Sequence, residues 1–477
     1  MIVVAVVNGQ LRVVDRIRER VALAEGLDAD GCLTEEAMAR SLACLERFGQ
    51  RLAELPRGSV RAVGTNTLRR AGNADAFLEQ ASAALRHPID VISGTEEARL
   101  VYLGVAHSLE GQTGRRLVVD IGGGSTECII GEGFDVALSN SMFMGCVGYS
   151  RRFFPDGVID EASLERAELA ARLQLRAIDK QYRALGWEKC LGSSGTCQAI
   201  AEILEREGWS DHGVTRQGLK RLERALLRAG HVDEIDFEGL AEDRAPVLPG
   251  GFAILSAVMR AFRVDVMEPS SGALREGVVH DLLGRIRHED ARDVTVGHLE
   301  RRHEVDVAQA ARIEAEAVGM FEQVADEWEL DAESELPFLR WAARLHEIGL
   351  TVSYSGYHRH GAYIVENGDL PGFSRQGQRI LAALILCHRR RLRLERFESL
   401  RDGDPTWVRM CVLLRLAVRF HRTRSDSTEV SVRLNPIDDG LKLEFTETDL
   451  DDLPLLSADL ELEARRLREA GFKLKIR

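Results

Sequence analysis

The residues best suited to chemistry lie in one stretch, Leu117-Val-Val-Asp-Ile-Gly-Gly-Gly-Ser-Thr-Glu-Cys-Ile-Ile-Gly131. An apolar strand ends on Asp120, three glycines and Ser125-Thr126 follow, and Glu127 opens a second apolar strand. Without Cβ atoms, the backbone N–H groups of Gly122, Gly123 and Gly124 can approach an anion closely, and the hydroxyls of Ser125 and Thr126 add donors. That pattern suits a phosphate. Carboxylates beside a phosphate repel it unless a cation intervenes, and Mg²⁺ takes one or two carboxylates together with phosphate oxygens and water. Asp120 and Glu127 are therefore the expected metal ligands. A bare glycine triplet would signify only a hairpin; the acids and hydroxyls around it favour the phosphate reading.

Three further segments carry groups of the same kind. In Ser93-Gly-Thr-Glu-Glu-Ala-Arg-Leu100, Thr95 reads as a helix N-cap with Glu96 and Glu97 in the first turn, where the helix dipole favours acids. The same position also suits a general base for water at a phosphate site, and the segment alone does not separate the two roles. In Arg61-Ala-Val-Gly-Thr-Asn-Thr-Leu-Arg-Arg-Ala-Gly-Asn73, Arg69 or Arg70 could clamp a phosphate bidentately. Since 57 of the 63 basic residues are arginines, one arginine in a turn carries little information by itself. Gly192, Ser193, Ser194 and Gly195, ahead of Thr196, form a second Gly/Ser loop entering a helix, another cradle for an anion. It lacks the Lys-Ser/Thr pair of a P-loop, which excludes that chemistry.

Elements that would position these groups are legible around them. Up to about residue 285, short Val/Ile-rich strands (60–64, 89–93, 117–121, 128–131, 190–192, 264–267) alternate with helices at 34–55, 73–86, 95–108, 160–185, 195–207, 214–230, 249–263 and 272–284, an α/β pattern. Met1 opens on an apolar run with an Asn8-Gly9 hairpin turn. From about 304 to 425 the chain reads as almost wholly helical, and period-two segments around Asp438-Asp439-Gly440 precede a last helix near 457–470. At 477 residues the chain exceeds a single core. We divide it into 1–105 and 106–287, two α/β lobes, 288–425, a helical domain, and 426–477, a small α+β domain. A formal charge of −13 argues against nucleic-acid binding and against a polybasic membrane anchor. No apolar run approaches the roughly 18 residues of a membrane span, and the eight scattered cysteines suggest neither disulfides nor zinc. A cytoplasmic place is expected, with a peripheral position at the inner membrane left open.

Thr65-Asn-Thr-Leu-Arg-Arg-Ala, Ser93-Gly-Thr-Glu-Glu-Ala-Arg-Leu, Asp120-Ile-Gly-Gly-Gly-Ser-Thr-Glu, Gly192-Ser-Ser-Gly-Thr and Gly272-Ala-Leu-Arg-Glu-Gly follow one another as in the exopolyphosphatase and guanosine pentaphosphate phosphatase family. The chain resembles that family over nearly its whole length. The resemblance implies an α/β fold of two actin-like (RNase H-like) ATPase lobes, then an all-α HD-like domain and a small α+β C-terminal domain. It implies Glu97 as the base that orients water, Asp120 and Glu127 as Mg²⁺-associated carboxylates, Gly122 to Ser125 as a phosphate loop, and Arg69 as a cleft arginine. It also implies a homodimer.

The helical half is read by the same likeness. Its HD pair is His346-Glu347 without a matching downstream Asp, so a structural or substrate-contact role is expected there rather than a metal centre. His388, Arg389, Arg390 and Arg391, with Arg393, form the densest basic cluster and are read either as a channel for polyphosphate or as a solvated helix face. The run from His358 to Arg390 looks more like the long exopolyphosphatases. The expected activity is therefore Mg²⁺-dependent release of terminal phosphate from inorganic polyphosphate. The alternative is removal of the 5′ terminal phosphate of guanosine pentaphosphate (pppGpp to ppGpp), and a third reading is a polyphosphate-binding protein impaired in turnover. Family members also begin with a loop Asp-x-Gly-Ser-Asn-Ser that is not seen here. We read this as a start placed downstream by roughly 10 to 20 residues, the other reading being a chain lacking half its phosphate cradle.

Overall fold

The computed structural model describes residues 1–7, 10–19, 21–28, 30–109, 113–286, 290–398, 400, 405–424, 431–446 and 450–477. Asn8 and Gly9, expected as a hairpin turn, lie outside them. The chain divides into two compact units, Met1–His288 and Glu289–Arg477.

The first unit begins with β1 (Ile2–Val7) and β2 (Gln10–Arg16), an antiparallel pair. After α1 (Glu35–Leu52) come β3 (Ala62–Gly64), α2 (Asn66–Arg70), α3 (Ala74–Leu85) and β4 (Ile89–Val91), with β3 and β4 parallel. The pairs β1-β2 and β3-β4 are separate two-stranded sheets. Helix α4 (Gly94–Ser108) then leads into β5 (Arg115–Ile121), β6 (Thr126–Glu132) and β7 (Asp135–Met142). Beyond α5 (Cys146–Phe153), α6 (Glu161–Leu175) and α7 (Asp179–Leu185) lie β8 (Lys189–Gly192), α8 (Gly195–Arg206), β9 (Val214–Thr215), α9 (Arg216–Ala229), α10 (Leu248–Phe262), β10 (Val266–Pro269) and α11 (Leu274–Ile286).

These strands form one sheet in the order β7-β6-β5-β8-β10-β9. β5, β6 and β7 are an antiparallel meander, and β8 and β10 continue it in parallel on the far side of β5. That is the RNase H-like order expected of an actin-like lobe. β5 and β6 are buried on both faces, Leu117 to Val119 and Cys128 to Ile130 being sealed from solvent, as a central pair requires. The chain crosses between the β3-β4 region and this sheet twice, through α4 and α11, and the two helices pack with backbones almost touching. A Cβ on Gly277 would run into the carbonyl of Leu100, and one on Gly104 into that of Ala273.

Five features of this unit differ from expectation. The helix expected at 160–185 breaks at Arg176 to Ile178 into α6 and α7, and the start of the 214–230 helix is the short strand β9. Neither β7 nor α5 was anticipated. Asp243–Phe262 is a 20-residue helical stretch apolar enough, by length and composition, to cross a membrane. Gly250-Gly251 and Arg260 hide it from a search for an unbroken apolar run. Most of it is buried, and it packs on α5 and α6 as the core helix of this lobe.

The second unit is helical, with α12 (Ala291–Arg302), α13 (Val307–Val324), α14 (Leu336–Leu345), α15 (Tyr357–Asn367), α16 (Arg375–Cys387), α17 (Glu395–Glu398) and α18 (Thr406–Phe420). β11 (Val432–Ile437), β12 (Gly440–Phe445), α19 (Pro454–Glu469) and β13 (Lys473–Ile476) close it. The division expected at 425/426 is not a division of cores: Leu434, Leu441, Leu443, Leu460, Leu467 and Leu474 share one hydrophobic cluster with Leu413, Leu414 and Leu416 of α18.

Candidate active site

The turn between β5 and β6 is closed by Gly122 N–H donating to the Ser125 carbonyl at 2.9 Å. In the ladder below it Asp120 stands directly opposite Glu127. Cross-strand partners lie within reach of one another, and like charges placed so are unfavourable. The N–H groups of Gly123 and Gly124 have no acceptor among the described residues. The carbonyls of Gly122 and Gly123 are occupied, the first accepting from Cys146 N–H at 2.9 Å and the second from Val147 N–H at 3.0 Å, which anchors α5 over the loop. None of the three glycines has a positive φ; Gly124 is needed because a Cβ would strike the Asn66 side chain.

Glu97 reaches this site from the first turn of α4. The N-cap is Ser93 and not Thr95: Ser93 Oγ accepts from Glu96 N–H at 3.1 Å, and Thr95 lies inside the helix that begins at Gly94. Glu97 is 7% exposed. Its Oε2 accepts from Arg69 at 2.8 Å, and the same Arg69 nitrogen donates to the Ile92 carbonyl at 3.0 Å. Arg69, expected to clamp phosphate, is thus engaged with the acid beside it, whereas its neighbour Arg70 faces a cavity.

Burial governs the charge state of the three acids. It raises Glu97 above the usual glutamate range, against the pull of Arg69 and a hydrogen bond from Thr65. It pushes Asp120 up to about 7, helped by the charge of Glu97. Glu127, 1% exposed, is pushed well above its ordinary value by burial, then by Glu97 and Asp120, with hydrogen bonds from Ser141 and Ser125 opposing. Ser141 Oγ donates to Glu127 Oε1 at 2.8 Å. Burial raises all three acids, and the charge of Glu97 adds to the rise at Asp120 and Glu127, which makes a centre that favours a positive charge.

Among the described residues no three His, Cys, Asp or Glu side chains are gathered as a ready cage for a metal ion. Hard oxygen donors in a facing pair, with the phosphate loop beside them, suit instead an ion that draws the rest of its shell from phosphate and water, as Mg²⁺ does.

Gly192, Ser193, Ser194 and Gly195 arrive at the same place from β8. Ser194 Oγ caps α8 by accepting from Cys197 N–H at 3.0 Å, and Ser193 Oγ donates to the Gly272 carbonyl at 2.9 Å. Both hydroxyls therefore hold the loop together. A cavity of about 280 Å³ is lined by Ser193 to Thr196, by Asp120 to Gly123, and by Arg244 and Arg275. The structure brings together Glu97, Arg69, Asp120, Glu127 and both loops. It adds Ser141, Arg244 and Arg275, none of which stood out in the sequence. Arg275 sits in the Gly272–Gly277 motif, Ser141 in the polar end of β7, and Arg244 in a polar segment with no distinguishing signal.

The basic cluster of the second unit differs from expectation. His388 is 1% exposed, its Nδ1 bonds the Ile385 carbonyl at 2.6 Å, and its Nε2 lies 3.5 Å from the Tyr357 hydroxyl. A ring so placed cannot line a channel. Arg389 rests over the Tyr357 ring at 4.5 Å, and Arg390 and Arg391 are exposed. His346 is likewise buried, with Nδ1 on the Ala343 carbonyl at 2.7 Å.

Comparison with known proteins follows the same lines. Residues 2–286 match the Ppx/GppA phosphatase family, and residues 291–464 match Ppx/GppA phosphatase, domain III. The chain is 39% identical over 476 residues to the guanosine-5'-triphosphate,3'-diphosphate pyrophosphatase of Vibrio vulnificus, covering 100% of this chain and 95% of that protein. It is 40% identical over 477 residues to the protein of the same name from Vibrio cholerae, with the same coverage. Among solved structures it is similar to the Aquifex aeolicus PPX-GPPA enzyme, at 26% identity and a TM-score of 0.50, over 58% of this chain and 93% of that one. An exopolyphosphatase from Cytophaga hutchinsonii shares the fold, with a TM-score of 0.52 at 24% identity over 59% and 93% of the two chains. In motif order, in sheet topology and in whole-length similarity, this chain belongs to the Ppx/GppA phosphatase family.

Proposed function

We propose that this chain hydrolyses the terminal 5′ phosphate of guanosine pentaphosphate, giving guanosine tetraphosphate and orthophosphate. The observation that carries the chemistry is the buried triad Glu97, Asp120 and Glu127 beside the unpartnered N–H groups of Gly123 and Gly124. The choice of substrate is supported by relatives about 40% identical along the whole chain that bear the pentaphosphate name. The sequence alone favoured inorganic polyphosphate, partly because of the cluster at His388. Burial of that ring weakens the argument.

In this reading the phosphate loop holds the terminal phosphoryl group through the Gly123 and Gly124 N–H groups. Glu97 Oε1, the oxygen that does not bind Arg69, accepts the proton of a water aimed at phosphorus. The water oxygen bonds to phosphorus as the bridging bond to the next phosphate breaks. No side chain becomes covalently attached, since such a transfer needs positioning and charge neutralisation above all. Arg69 fixes the carboxylate and favours its ionised form. Asp120 and Glu127 would hold Mg²⁺, which when bound neutralises charge on the phosphate oxygens. The test is phosphate release from guanosine pentaphosphate and from polyphosphate, compared at one salt concentration with Mg²⁺. A kcat/KM at least tenfold higher for the nucleotide is expected; a preference for polyphosphate would overturn the assignment.

A further inference from the structure

Asn66, the first residue of α2, lies on the phosphate loop. A Cβ on Gly124 would strike Asn66 Nδ2 and stand 3.2 Å from its Cγ, so the carboxamide rests directly against this glycine. Asn66 is 6% exposed, and its Oδ1 is sealed from solvent without a hydrogen-bond partner. A buried polar atom left unpaired weakens a fold, and the great majority of such atoms are paired. An apolar side chain of the same size would avoid that cost. The helix does not require the amide either, since Thr65 occupies the N-cap position and no side chain caps α2.

The neighbours of Asn66 connect it with the reaction. Thr65 gives a hydrogen bond to Glu97, and Arg69, three residues along α2 and so on the same face as Asn66, donates to Glu97 Oε2 at 2.8 Å. Two residues that hold the proposed base thus flank a carboxamide that touches the phosphate loop. Its burial matches that of the groups around it, Glu97 and Glu127 being 7% and 1% exposed. A carboxamide offers donors on one atom and an acceptor on the other, without net charge. An ionised phosphoryl group can only accept hydrogen bonds, whereas a water attacking it has two protons to place.

Resting on the proposed activity, we propose that Asn66 is a further catalytic residue, its carboxamide bridging the attacking water and the terminal phosphoryl group. Nδ2 donates to a phosphoryl oxygen beside the Gly124 N–H, and Oδ1 accepts a hydrogen bond from the water. One proton of that water passes to Glu97 Oε1. The other, bonded to Oδ1, stays on the oxygen and leaves with orthophosphate. With both hydrogens engaged, a lone pair of the water is turned to phosphorus. The new P–O bond forms as the bridging P–O bond breaks, and the electron pair of the broken bond remains on the leaving phosphate oxygen.

The test uses the full chain with Mg²⁺ and two variants that lack both polar atoms, Asn66→Leu, of similar volume, and Asn66→Ala, which adds no bulk. Phosphate release from guanosine pentaphosphate and from polyphosphate is measured between pH 5 and 9, and melting curves are recorded. Each variant is expected to lower kcat about 10²–10³-fold on either substrate, the scale of losing one preorganised polar group at a reacting centre. The acid limb of the kcat/KM profile should stay in place. The melting temperature of Asn66→Leu should be unchanged or raised, because a buried unpaired group has been removed. A kcat within about tenfold of the unaltered chain in both variants overturns the proposal. So does an acid limb moved to higher pH, which would mean that Asn66 acts only by supporting the Arg69–Glu97 pair, or a melting temperature lowered in both variants, which would make the residue structural. A preference of the unaltered chain for polyphosphate counts against the proposed substrate alone, because the loss at Asn66 is read on whichever substrate is turned over.

Discussion

Arg69 donates to the Glu97 carboxylate at 2.8 Å and, through the same nitrogen, to the Ile92 carbonyl at the end of the strand that leads into α4. The ion pair fixes an acid that burial would otherwise neutralise. Removing the guanidinium removes a group that favours the charged form, so the carboxyl must titrate higher. Arg69→Gln should shift the acid limb of the kcat/KM profile to higher pH, and Glu97→Gln should lower kcat by about 10²–10⁴-fold with nucleotide binding retained. Steady-state rates between pH 5 and 9 check both. An acid limb left in place in Arg69→Gln would show that the pair has no influence on the base.

The facing pair Asp120 and Glu127 predicts a stability that depends on metal and pH together. Asp120 is pushed up from an ordinary 3.8 to about 7, so in metal-free protein the folded state binds more protons than the unfolded one between these values. The associated stability is complete below the unfolded value and is lost as pH rises through the folded value. With a chelator present, the melting temperature should fall between pH 6 and 8.5. Asp120→Asn should flatten that fall. Mg²⁺ added at pH 8 should restore stability in the unaltered chain and do so less in Asp120→Asn, as ligand linkage requires.

The seam between α4 and α11 gives a prediction of sign. At Gly277 a methyl group meets the Leu100 carbonyl, backbone that cannot swing away, whereas at Gly319 in α13 nothing lies within 4 Å. Gly277→Ala should cost about 1–3 kcal/mol. Gly319→Ala should add up to about 1 kcal/mol, the helix propensity difference. Urea unfolding of the two variants measures both, and a neutral Gly277→Ala would mean that the helices can part without loss.

What the sequence disclosed, and what it concealed, has physical causes visible at single residues. The β5-β6 hairpin was legible because strands buried on both faces must be continuously apolar and the turn between them carries three glycines. β7 was not, because Asp135-Val-Ala-Leu-Ser-Asn-Ser places polar groups on both faces; with it went Ser141, the hydroxyl that holds Glu127. Arg69 and Arg70 are neighbours on one turn of helix, about 100° apart around its axis, so one meets Glu97 and the other a cavity. No local pattern tells which. His388 reads as a member of a basic run, yet it closes α16 with its ring turned inward onto the Ile385 carbonyl and the Tyr357 hydroxyl.

The second unit is held by a pair that sequence spacing could not reveal. Arg415 of α18 and Glu463 of α19 are both completely buried and bonded to each other. Arg415 also donates to the carbonyls of Cys387 and Arg390, and Arg419 joins Glu463 at 3.0 Å. The cluster clasps α19 against α18 and supports the turn that follows α16. Removing one partner leaves a buried charge uncompensated, and the loss is then about 3–5 kcal/mol. Glu463→Gln should approach that figure. Arg415→Met combined with Glu463→Leu should recover much of it, because apolar groups of similar volume need no partner. Urea unfolding of the single and double variants completes the cycle, and a strong favourable coupling is expected. If Glu463→Gln unfolds within about 0.5 kcal/mol of the unaltered chain, the ordinary effect of a surface change, then the clasp contributes nothing to this unit's stability.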